Sequence, residues 1–148
     1  MINKETEERE NEGSQYSVSI ICLNGCNFTW QTQPSIPGVK GKGNLALTAG
    51  LFFSGAQFSK FQQFVSIVNL KSIGKDCYYA LREKYVFPVT DACWETEQNN
   101  LINTLKDRRE SVTLAGDGRC DSPGHSAKYG TYTTLDVQSD KVIDCVSF

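Results

Sequence analysis

Long apolar runs are missing from this sequence. No stretch approaches the roughly 18–20 consecutive apolar residues that a membrane-spanning helix needs, so the reading includes no membrane partner. The first twelve residues are mostly polar and acidic. They lack the apolar core of a secretion signal. A charge excess is missing as well. Fifteen Lys and Arg stand against 17 Asp and Glu, a formal net charge of −2. That excludes a protein that binds nucleic acid by bulk charge, and any nucleic-acid surface has to be local. Histidine occurs once, at His125. The six cysteines are sparse, and two lie in helix-like segments. They read as reduced thiols of an intracellular protein, against the alternative of a secreted disulfide scaffold.

What is present suits a folded chain. The 148 residues fit one domain or two very small ones, and 39% hydrophobic with 11% aromatic residues can fill a packed core. Residues 1–15 read as a disordered acidic tail. Tyr16, Val18 and Ile20 then alternate with serines, and Asn24-Gly25 is a strong turn signal. Residues 16–33 therefore read as a β-hairpin with Cys22 and Cys26 flanking its turn, and residues 34–43 as a Pro- and Gly-containing linker.

Residues 44–110 read as helical. Asn44 is the expected cap of a first helix carrying Leu45, Leu47, Leu51 and Phe52. A second follows near Gln57, with Phe58, Phe61, Phe64, Val65 and Val68 on one face, ended by Asn69. Ser72 is the expected start of a third, with Ile73, Cys77, Tyr78 and Leu81 on one stripe. Pro88 is expected to stop it, and Thr90 to cap a fourth. From Ser111 the period becomes two, and residues 111–148 read as a three-strand antiparallel meander. The expected class is α+β.

Three constellations carry chemistry. In Ala115-Gly116-Asp117-Gly118 a carboxylate at a strand end, between glycines, can hold a divalent cation while the backbone approaches a phosphate. The plain alternative is a turn residue. Residues 58–84 form two helix-like segments joined at Asn69-Leu70-Lys71, the pattern of a helix-turn-helix. The would-be recognition helix presents Ser72, Lys75, Arg82 and Lys84, with Lys71 before it, and these are the candidate DNA contacts. The alternative is an ordinary helical bundle. Cys22 and Cys26 have the spacing of a zinc-knuckle pair, yet a structural site takes four ligands. No second cysteine pair precedes them, so they read as an incomplete half-site or as two reduced thiols. His125 reads as a loop residue. Asp136 and Asp144 read as solvent-facing or edge charges, and Tyr78, Tyr79 and Trp94 as core or interface aromatics.

The run from Leu114 through Asp117, Asp121, His125 and Tyr129 to Thr133 resembles the start of the catalytic core in animal proteins derived from DDE-type transposases. A looser similarity covers Trp30-Gln31-Thr32-Gln33-Pro34 and Gly43-Asn44-Leu45. The resemblance implies the first strands of a ribonuclease-H-like fold with Asp117 at the first catalytic position. It also implies Mg²⁺ or Mn²⁺ in the complete parent enzyme, with Asp121 as a second candidate ligand. A zinc-ribbon-like unit is implied around Cys22 and Cys26. DNA is the implied partner, and the implied location is intracellular and nuclear.

A DDE core needs two further acids on later elements, and the sequence ends at Phe148. The expectation is a truncated transposase-derived chain without nuclease activity of its own that binds DNA. The alternative is a non-enzymatic DNA-binding or protein-interaction module of the same descent. An open sheet edge is expected to favour self-association.

Overall fold

The computed structural model describes residues 4–108, 111–122 and 127–148. The chain divides into two compact units, Met1–Val89 and Thr90–Phe148.

The first unit opens with an antiparallel sheet of three strands in the order β1 (Lys4–Glu12), β2 (Gln15–Cys22), β3 (Asn27–Gln31). The segment expected as a disordered tail is thus a strand for most of its length. Its charges do not forbid this. β1 is an edge strand, where charged side chains are favoured because they deter further pairing, and its backbone is satisfied by β2 from Thr6↔Ile21 to Glu12↔Gln15. Gly13 closes the turn at φ 64, in the left-handed region that glycine enters without strain. The expected hairpin is present as β2 and β3, in register from Ser17↔Gln31 to Ile21↔Asn27, with Gly25 in its turn.

Helices follow: α1 (Lys42–Phe53), α2 (Phe58–Ile67), α3 (Lys75–Leu81), a π-helical turn (Arg82–Val86) and α4 (Phe87–Asp107). Three expected boundaries change. Asn44 lies inside α1, and the cap position is Gly41. Ser72 precedes α3, whose cap position is Gly74. Pro88 does not stop the helix. It is the second residue of α4, directly after the π-turn, and Thr90 lies within the helix. Proline removes one N–H and crowds the preceding turn, and a widened π-turn is a common way to absorb that defect.

Phe58, Ile73 and Tyr78 form the buried cluster, with Leu47, Leu51, Phe61 and Tyr79 packed on it. Each large side chain buried there contributes about 1.5–3 kcal/mol. The expected α2 stripe splits: Phe58 and Val65 are buried, while Phe64 and Val68 are 58% and 50% exposed.

The second unit carries the expected meander, β4 (Leu114–Cys120), β5 (Gly130–Asp136) and β6 (Lys141–Ser147), antiparallel in that order. Within this unit α4 reaches the sheet through Gln98, whose Nε2 donates to the Ile143 carbonyl at 3.0 Å and to Asp144 Oδ1 at 3.2 Å. The fold class is α+β, as expected.

Candidate functional site

Asp117 sits in the middle of β4, opposite Thr133 on β5, which in turn faces Cys145 on β6. Directly opposed residues share a face, so the three side chains form one row across the sheet. Asp117 is exposed, and its Oδ1 accepts the Gly118 N–H at 2.9 Å. Of the flanking glycines, Gly116 has a second reason to be glycine, whereas a Cβ on Gly118 would make only ordinary contact. A Cβ on Gly116 would lie 2.6 Å from Tyr132 Cζ, and one on Gly118 would lie 3.6 Å from Tyr132 Cδ2. The Tyr132 ring therefore lies across the β4 backbone on the face opposite Asp117, a cross-strand aromatic covering glycine.

Asp121 follows β4 and continues the ladder, its N–H donating to the Tyr129 carbonyl at 3.0 Å. Its Oδ1 accepts the Lys128 N–H at 3.1 Å. His125 lies outside the described residues. Two-metal chemistry takes several carboxylates converging on both ions. Among the described residues no cluster of three His, Cys, Asp or Glu side chains could hold a metal ion. Thr133 and the soft thiol of Cys145 flank Asp117 on this face.

Asp136 is a correction. Expected at the surface, it is fully buried. Its Oδ2 takes the Ser139 hydroxyl at 2.6 Å, the Ser139 N–H at 3.1 Å and Arg108 Nη1 at 3.1 Å. The Ser139 hydroxyl, aided by the Ser139 and Gln138 N–H groups and the Arg108 charge, holds its pKa below the usual carboxylate range against the opposing effect of burial. The residue closes the β5–β6 turn, with Arg108 just beyond α4 as counter-charge. Asp144 is exposed, as expected of an edge charge, and its Oδ1 accepts the Cys145 N–H at 2.9 Å.

In the first unit, Cys22 and Cys26 face each other across the β2–β3 turn. Cys22 Sγ accepts the Cys26 N–H at 3.1 Å, and the Cys26 side chain and N–H together pull the Cys22 thiol pKa down. Both cysteines are free. Two sulfurs are half of a structural zinc site, and no further ligand joins them among the described residues.

Of the candidate DNA contacts, Lys71 is exposed on the segment before α3, and Ser72 Oγ beside it is buried without a hydrogen-bond partner. Lys84 Nζ lies 5.2 Å from the Tyr85 ring centroid. Lys75 and Arg82 come together: both line one pocket of about 610 Å³ between α2 and α3, with Phe58, Tyr78 and Tyr79. The Arg82 guanidinium carbon lies 4.6 Å from the Tyr79 centroid and 4.8 Å from that of Phe87. The spacing of Tyr78, Tyr79 and Arg82 holds the signal for this cage, since residues three and four apart meet on a helix face. Reading Tyr78 and Tyr79 as core or interface aromatics did not by itself reveal this contact with Arg82.

A polar knot also went unread. Asn44 is 2% exposed. Its Oδ1 accepts the Ser14 N–H at 2.8 Å and hydroxyl at 2.6 Å, and its Nδ2 donates to the Lys40 carbonyl at 2.7 Å and the Glu12 carbonyl at 3.0 Å. Gln33 adds a brace, donating to the Ser14 carbonyl at 2.7 Å and accepting the Gly43 N–H at 2.7 Å.

No protein-family model, curated protein or solved structure matches the chain. Among the described residues no helix is long and apolar enough to cross a membrane.

Proposed function

We propose that the chain is a DNA-binding portion of a transposase-derived protein, and that it does not cleave DNA by itself. The observation that carries the DNA-binding reading is the pairing of Lys75 and Arg82 on one pocket whose lining contains no carboxylate. Local positive charge of this kind is what a chain with net charge −2 needs in order to meet phosphates. The antiparallel β4-β5-β6 meander supports a ribonuclease-H-like start, with Asp117 on its first strand.

A gel shift with salt titration tests the binding. The expected result is a linear fall of log affinity with log salt, with a slope of about −0.9 per duplex phosphate contacted. Affinity that is flat in salt would refute it. A nicking assay with Mg²⁺ or Mn²⁺ tests the second half. Cleavage that disappears in Asp117→Ala would overturn the inactive reading.

A further inference from the structure

The geometry points to a nucleotide-phosphate site in the pocket between α2 and α3, with Lys75, Arg82 and the α2 N-terminus holding the phosphate and the aromatic wall meeting the base. This rests on the DNA-binding reading and adds the place and chemistry of one contact. Arg82 is half-buried, and its guanidinium carbon lies over the Tyr79 and Phe87 rings, 4.6 and 4.8 Å from their centroids. The planar guanidinium carries its N–H donors in its own plane, a fork that can take an oxyanion with two parallel bonds while the rings pack against it. Arg82 Nε is buried and has no hydrogen-bond partner. Among the described residues neither Arg82 nor Lys75 forms an ion pair. Withdrawing a cation from water without a counter-charge is costly, and an anion in the pocket removes that cost.

Two independent features favour phosphate over a single carboxylate. The first is positive charge from more than one source. Gln57, Phe58 and Ser59 also line the pocket, and they are the cap position and first residues of the ten-residue α2. No side chain caps that end, so the Phe58 and Ser59 N–H groups and the helix dipole add to the two cations, while the Lys60 N–H donates to the Gln57 carbonyl at 3.0 Å. The second is size and wall. About 610 Å³ is more than a lone anion fills, and the half-buried Tyr79 ring lines it beside Phe58 and Tyr78, which stack on each other in the buried cluster. Aromatic rings beside cations are the usual surface for an unstacked base.

The test uses the full chain and titrates three probes by calorimetry: deoxyadenosine monophosphate, inorganic phosphate and a 5′-phosphorylated single-stranded oligonucleotide. Lys75→Gln changes an exposed residue, and Arg82→Gln removes the caged cation, with folding of both checked by circular dichroism. The expected result is that each variant weakens the oligonucleotide and the mononucleotide about tenfold, near 1.4 kcal/mol. Tyr79→Leu is expected to weaken the oligonucleotide and the mononucleotide more than inorganic phosphate, because it removes the base contact as well as one ring beside Arg82. DNA binding that persists at full strength in folded Lys75→Gln and Arg82→Gln would overturn the pocket and leave the DNA-binding reading standing. Mononucleotide binding that depends on Arg82, with no DNA binding at any salt, would keep the pocket and overturn that reading. An acidic peptide that competes as well as the mononucleotide would overturn the assignment to phosphate.

Discussion

Asn44 Oδ1 accepts both the backbone N–H and the hydroxyl of Ser14, at 2.8 and 2.6 Å, across thirty residues of sequence. The amide of one side chain thereby fastens the β1–β2 turn to the first turn of α1. Asn44→Ala strands buried donors and acceptors on both elements. The expected loss is about 2–3 kcal/mol, since an orphaned buried polar group costs more than one hydrogen bond gains. Urea denaturation of the full chain, followed by a signal from the first unit, measures it. A loss under about 0.5 kcal/mol would show that water replaces the amide.

Gly116 is held to glycine by Tyr132. Gly116→Ala places a methyl group 2.6 Å from Tyr132 Cζ. Overpacking of this kind costs about 1–3 kcal/mol. In a Tyr132→Ala background the same change is expected to cost much less. A double-mutant cycle reads the coupling directly, and additivity would contradict the contact.

Asp136 makes the stability of the second unit depend on pH. Its folded pKa is lowered, so the unfolded chain takes up a proton first as pH falls. The stabilisation is fully present above the usual carboxylate pKa of about 4 and is lost as pH drops through the lower folded value. Denaturation midpoints measured down through this acid range should fall in the wild-type chain. Asp136→Asn should flatten that part of the curve, and an unchanged acid slope would remove Asp136 as its source.

The cysteines should differ in reactivity. Contacts from Cys26 lower the Cys22 pKa, whereas partial desolvation and the Glu12 charge raise that of Cys77, which still lies at the surface. The thiolate is the nucleophile, so near neutral pH Cys22 should alkylate faster than Cys77 with iodoacetamide. Peptide mapping by mass spectrometry gives the order, and faster labelling of Cys77 would reverse the assignment.

Local pattern alone determined a good part of this protein. The two-residue period before Asn24-Gly25 and after Ser111 gave the β2–β3 hairpin and the meander, because strand alternation and turn residues are written in adjacent positions. Spacings of three and four gave α2 and α3 to within a few residues, and Lys75 and Arg82 as neighbours on one helical stretch. Tertiary structure decided the rest. β1 is a strand because β2 offers it a backbone ladder, which its own charged residues do not announce. Asn44 and Asp136 are buried because partners far away in sequence, Ser14 and Arg108, satisfy them. Gly116 beside Asp117 is explained by Tyr132 on the neighbouring strand, and the cage on Arg82 needs Phe87 beyond the π-turn. A polar group's environment depends on what the fold brings to it, and that information is spread along the chain where no local window can read it.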